Sequence, residues 1–301
     1  MKDFLTRLLG VAGACLTGSV ALTCAAATDP APGKDFWSTV AALGWTNVGN
    51  GLPAGAGQRV AIQIPGLPHG AKKLELVLVP GRDRVKPFLM GKYEVTQAQY
   101  EAVIGANPSS FKNGPDYPVE TVSWNNAKEF CAKLNDGLPS EVKGKLAFRL
   151  PSDEEWSLAV GLPEESGSTP KEKDGKIKDH YPWGEQWPPP RGAGNYADET
   201  TGKKYGKNWD IISGYDDGYA ETAPVGSFQP NRHGLYDLGG NVWEWCEDWY
   251  DTDQKQRVLR GASWNLGSAH YLLSSLRDLR VPDLRHYRYG FRVVLAGEPP
   301  P

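Results

Sequence analysis

Apolar residues alternate with polar ones, or gather as β-branched runs, in "RVAIQI" (59–64) and "LELVLVP" (74–80), and both stretches predict strands. "FLMG" (88–91) predicts a third strand. The period then changes. Thr96 stands where a helix N-cap is wanted, and Tyr100, Val103 and Ile104 fall on one helical face after it. "PVETVSWNNAKEFCAKLNDGL" (118–138) has the same grammar: a short strand ending at Ser123 as N-cap, then a helix with Ala127, Phe130, Cys131 and Leu134 on its apolar face. "AFRLPSDEEWSLAVG" (147–161) repeats it, with a strand at 148–150, Ser152 as cap and Glu155 at the capping-box position. From 162 to 222 periodicity is lost, and a connection of that length calls for a tie such as a metal. The C-terminal third alternates short strands with turns, and the chain contains no internal repeat.

The first residues follow a different logic. Lys2 and Arg7 precede an apolar run over 8–23, and Ala25, Ala26 and Ala27 offer a small-residue cleavage site. This predicts a signal peptide over 1–27 and an exported chain, whether secreted, periplasmic or surface-attached. A membrane anchor fits less well, because the run is short and rich in Gly, Ser and Thr. Cys15 and Cys24 each follow small residues, so the sequence also allows a lipid anchor. Residues 28–73 read as a linker and N-terminal extension, 74–296 as the main domain and 297–301 as a tail. With the signal removed only Cys131 and Cys246 remain; an oxidising compartment would permit their pairing, and sequence does not say whether they meet.

Composition narrows the class. A chain of 301 residues can bury a substantial core, and a net charge of −3 gives no electrostatic case for nucleic acid. The 35 Gly and 24 Pro, set beside 11 Trp and 13 Tyr, suggest loops and turns pinned by aromatic side chains rather than a helix bundle.

Seven blocks, in order, resemble the formylglycine-generating enzyme (sulfatase-modifying factor) family: "GKYEVTQAQYEAV", "PVETVSWNNAKEFC", "FRLPSDEEWSLA", "YPWG", "APVGSFQPNRHGLYDLGGNVWEWCEDWY", "RGASW" and "GFRVV". The resemblance spans about 74–295. It implies an α+β, C-type-lectin-like fold with small mixed sheets, two main helices and much irregular loop. It also implies two structural calcium sites. Matched position by position, one takes the side chains of Asp237 and Glu244 with the carbonyls of Gly240 and Val242. The other takes Asn195 and Asp217 with the carbonyls of Tyr196 and Tyr219. Hard oxygen donors suit calcium. The same Asn and Asp residues also suit plain hydrogen-bonded turns.

The family's oxidase chemistry requires two copper-binding cysteines after the "RG-small-S-aromatic" motif. Here their positions hold Leu266 and Tyr271, and no cysteine follows Cys246, so no copper is expected. The five His are scattered without metal-ligand spacing, and neither a Ser/His/Asp order nor a phosphate loop stands out. No catalytic residue is assigned.

Residues 265–289 contain no Lys, Glu, Gln, Met or Trp, types that together make up 57 of the 301 residues. One mechanism predicts that absence. Asn codons randomised at both adenines yield Asn, Asp, Gly, Ser, Tyr, Cys, His, Arg, Ile, Thr, Ala, Pro, Phe, Val and Leu, but none of those five types. The segment 260–294 then divides into a fixed frame, including Trp264, Leu272, Leu273, Pro282, Phe291 and Val293, and free positions. The free set is Leu266, Gly267, Ser268, His270, Tyr271, Leu276, Asp278, Leu279, Arg280, Val281, Leu284, His286, Tyr287, Arg288 and Tyr289. In this the chain resembles the variable proteins of diversity-generating retroelements, which carry their variable region at the C-terminus of a C-type-lectin-like fold. The sequence therefore predicts an exported, non-catalytic protein that binds a protein or surface ligand through residues 266–289. The alternative is an enzyme of the formylglycine-generating type, oxidising a sulfatase cysteine or a related sulfur substrate.

Overall fold

The computed structural model describes residues 36, 39–40, 59–62, 64–206 and 208–297. The expected signal peptide, both of its cysteines, the 28–34 linker and most of the tail lie outside the described residues. One five-stranded sheet has the order β1 (Arg59–Ile62), β2 (Leu74–Val79), β3 (Phe88–Gly91), β9 (Val294–Ala296), β4 (Ala147–Arg149). All of its pairings are antiparallel. The C-terminal "VLA" is thus inserted between strands that precede it by about 150 to 200 residues.

The alternation read in β2 divides its side chains between two cores. Leu74, Leu76 and Leu78 join one buried cluster with Leu89, Tyr100, Ala127 and Phe130, while Val77 and Val79 join another with Phe88, Met90 and Trp156. Both faces of the sheet are therefore covered. One face packs on helices α1 (Gln97–Ile104) and α2 (Trp124–Asp136), where Tyr100 stacks on Phe130. The other packs on α3 (Asp153–Val160). Thr96, Ser123 and Ser152 cap these three helices, each in a complete capping box. Such caps contribute about 1 kcal/mol each.

Two expectations are modified. The stretch before Ser123 makes one bridge, Thr96 with Pro118, rather than a strand, because the chain there turns to hand its backbone to the C-terminal segment: Thr121 N–H donates to His286 O. Among the described residues three helices of eight or more residues form where two main ones were expected, and the described part of the 162–222 excursion adds α4 (Pro170–Lys173) and α5 (Glu199–Tyr205).

The second sheet has the order β7 (Asp278–Arg280), β6 (Arg257–Arg260), β5 (Trp243–Trp249), β8 (Tyr289–Gly290). It is mixed, since β5 and β8 run parallel while the other pairs are antiparallel. Every strand of it lies in the C-terminal third, and two of them, β7 and β8, carry free positions.

Candidate functional site

The segment 260–294 is held from its middle. Arg277, in the frame, is buried and donates to both oxygens of Asp153, to both oxygens of Glu165, and to the carbonyls of Lys173 and Ser275. Arg260 reaches the same Asp153 and also donates to the Ser274 carbonyl. Burial alone would raise the Asp153 carboxyl, but Arg260 and then Arg277 outweigh it and hold the group at about 2. The backbone is tied as closely: Ser274 N–H donates to His180 O, Ser275 Oγ–H to Ile177 O, and Arg277 N–H to Asp174 Oδ1. Leu272 and Leu273 enter the larger core cluster beside these ties.

The end of the segment has its own peg. Arg292, fully buried, grips both oxygens of Glu244 and donates to the carbonyls of Gly91, Tyr236 and Asp237. At the start, Trp264 is 2% exposed and lies under a group of rings: Phe111 edge-on at 5.7 Å, Trp209 stacked at 5.9 Å, Tyr205 at 6.0 Å and Tyr287 at 6.0 Å.

Between these anchors the free positions reach solvent. Of the fifteen, thirteen are exposed or half-exposed. Val281, Tyr271, Leu284 and Tyr287 are 50%, 48%, 37% and 37% exposed, large apolar surfaces that a folded protein usually covers. Leu266, Ser268, Leu276, Asp278, Leu279, Arg280, His286 and Arg288 are half-exposed, and His270 is exposed. His286 lies against Tyr287 and accepts from Arg288, while Arg280 pairs with Asp278 at 2.8 Å.

The other two lie inside. At Gly267 a Cβ would stand 2.3 Å from Asp210 O and 2.8 Å from Ile211 Cα, so backbone closes the space a side chain would need. Tyr289 is 1% exposed because β8 pairs with β5 there; its ring meets Trp245 edge-on and its hydroxyl accepts from Arg280 Nε at 2.6 Å. Close approach of the Asp210–Ile211 backbone at Gly267 and strand pairing at Tyr289, not the composition of the segment, remove these two from the outward face.

The two calcium motifs are brought side by side. Asn241 N–H donates to Asn195 O, and a Cβ at Gly240 (φ +83°) would lie 2.0 Å from that same oxygen, so glycine is required for the close approach. Asp217 accepts from the backbone N–H groups of Tyr196 and Tyr219, and burial pushes its carboxyl up to about 7. Asp237 accepts from Gly226 N–H, and burial pushes it up to about 6. In each motif one buried side-chain oxygen is left without a hydrogen-bond partner: Asn195 Oδ1 and Asp237 Oδ1. Orphaned buried oxygens among raised carboxyls fit a hard cation. Glu244 accepts from Arg292 on both oxygens and from the Trp156 indole on one. Among the described residues no group of three or more His, Cys, Asp or Glu could hold a metal, so a cation here would rely on amide and backbone oxygens such as those of Gly240, Val242, Tyr196 and Tyr219.

Sequence reading missed the partners of the frame. Asp153, which receives Arg277, and Glu94, which receives Asn241 Nδ2 and Val242 N–H, lie in two of the resembling blocks, but nothing in those blocks names their partners; Glu165, which also receives Arg277, belongs to a remote segment with no motif of its own. The same holds for Phe111, Tyr205 and Trp209 around Trp264. Cys131 and Cys246 are free buried thiols in separate core clusters.

Residues 68–296 match the family model described as a sulfatase-modifying factor enzyme 1-like domain. Among curated relatives, the inactive C-alpha-formylglycine-generating enzyme 2 of Bos taurus is 36% identical over 64% of this chain and 55% of its own length. The formylglycine-generating enzyme of Thermomonospora curvata is 33% identical over 58% of this chain and 47% of its own. The chain thus spans about half the length of these two relatives. Among solved structures, Treponema denticola variable protein 1 aligns with a TM-score of 0.50 at 22% identity, covering 80% of this chain and 99% of that one. At that identity the likeness shows fold alone: mixed α+β and C-type-lectin-like, as expected.

Proposed function

We propose, from the premise that this chain belongs to the sulfatase-modifying factor family, that it is an exported ligand-binding protein rather than an oxidase. Its contacts come from the outward positions of 266–288, which vary between copies of the gene through adenine-directed mutagenesis. The observation that carries this reading is the division within one segment. Thirteen free positions reach solvent, while Trp264, Leu272, Leu273, Arg277, Phe291 and Arg292 are buried. A surface that changes residue by residue needs a backbone whose position does not depend on those residues. The ties of Arg260, Arg277 and Arg292 supply it. The Tyr, Arg and His side chains presented are those that bind protein surfaces well.

Against the oxidase reading stand Leu266 and Tyr271, where the resemblance would place two thiols. Calcium, held by the oxygens of Asn195, Asp217 and Asp237 with neighbouring carbonyls, would neutralise buried carboxylates and fasten the 162–222 excursion to the turn at 237–244.

The decisive measurement is the DNA flanking the gene. The reading expects a near-copy of the stretch encoding 264–294, differing only at adenines, together with a reverse-transcriptase gene. Finding neither would sink the claim of diversification. Incubation with copper and a cysteine peptide is expected to give no formylglycine; turnover would restore the enzyme reading.

A further inference from the structure

A second candidate site is lined by none of the 266–288 positions and adjoins the expected calcium motifs, where Trp183 meets Tyr196 edge-on at 5.3 Å. A cavity of about 460 Å³ opens between the end of α3, the "YPWG" turn and the 229–232 loop, within the size range of small-molecule pockets. One wall is aromatic: Tyr181 and Trp183 stack at 4.9 Å with planes 3° apart, and Trp187, outside the lining and 41% exposed, leans on both. The other wall carries Arg191 and Arg232, both exposed. No carboxylate lines the cavity among the described residues. The Arg232 guanidinium lies beside Gly161, the left-handed cap of α3. Only Arg232 Nε is engaged, by His233 Nε2, and the described hydrogen bonds give neither its Nη groups nor Arg191 an acceptor.

We infer that this cavity binds a small oxyanion attached to a ring. Arg232 forms no ion pair among the described residues, and Arg191, which also borders a neighbouring hollow with Asp216 and Asp217, pairs with neither; the two guanidinium groups therefore suit the oxygens of phosphate, sulfate or carboxylate. The stacked rings call for a flat or apolar-faced group beside it. No free position lines the cavity, so binding here can fail without the proposed face failing, and the reverse.

The test is calorimetric titration of the full chain with phenyl phosphate, inorganic phosphate and benzyl alcohol, each at low and high sodium chloride. Phenyl phosphate should bind saturably, more tightly than either part alone, and more weakly at high salt. The double variant Arg191→Gln/Arg232→Gln should bind it at least about tenfold more weakly at an unchanged melting temperature. No saturation, equal affinity for benzyl alcohol, equal affinity for inorganic phosphate, or indifference to salt would each overturn the assignment. These outcomes are read on the native protein, so they hold even where the double variant fails to fold. Undiminished binding by a folded double variant would overturn it as well.

Discussion

Arg277 and Arg280 stand three residues apart in one stretch of chain, yet they live in different environments. Arg277 is closed off from solvent and satisfied by two carboxylates that lie 112 and 124 residues away. Arg280 is half-exposed, and its guanidinium meets Asp278, the Leu279 carbonyl and the Tyr289 hydroxyl, all within its own segment, while its backbone pairs with Arg257. The contrast extends to the runs around them: 272–275 and 277 are buried, and 278–288 are not. The frame is bound to the rest of the molecule by long-range contacts. The outward positions also touch it in places, Leu266 and Leu276 at the core and Tyr287 at Phe111 and Trp264, but leave much of their surface to solvent.

The contrast is broken most directly at the peg. Arg277→Ala leaves Asp153 and Glu165 short of their cation inside the protein, and urea denaturation should show a loss of about 3–5 kcal/mol. A loss under 1 kcal/mol would mean that the frame does not hold the segment.

Acid attacks the same contact from the other side. Because Asp153 sits at about 2 when folded, below an ordinary Asp near 3.9, its stabilisation is complete above roughly pH 4. It is lost as pH falls from there through 2, an effect of about 2 kcal/mol. That slope should shrink in Arg277→Ala; an identical acid profile would assign the slope to other carboxyls.

Calcium comes next. With free ion at about a hundred times its dissociation constant, stabilisation approaches 2.7 kcal/mol, so adding a chelator should lower the melting temperature by several degrees. An unchanged melt would count against both motifs.

Gly267→Ala tests whether a free position can lie inside. Its new Cβ would meet Asp210 O and Ile211, and a cost of about 1–3 kcal/mol is expected. The outward positions should give the smallest response: Val281→Ser, Leu284→Ala and Arg288→Ala should each stay within about 0.5 kcal/mol in the same denaturation measurement. A larger loss at any of them would move that residue from the face into the frame.

Much of the scaffold was legible because its signals are local. A hydroxyl before a helix and a side chain three residues on form a capping box regardless of what packs on the helix, so Thr96, Ser123 and Ser152 could be read directly. The pattern of 74–79 reported a strand without saying that both its faces are buried or which cores they join. The face was legible in part, through the missing residue types of 265–289, because that is a property of composition.

The sequence by itself determined the helix caps, the first strands, the family and the lack of any thiol where copper would need one. Only the tertiary structure decided that Arg277 finds Asp153 and Glu165, that Arg292 takes Glu244, and that Gly267 and Tyr289 turn inward. The reason is physical. Capping and alternation depend on neighbours a few residues away, whereas burial depends on which distant segment arrives to cover a residue, and that segment carries its own sequence.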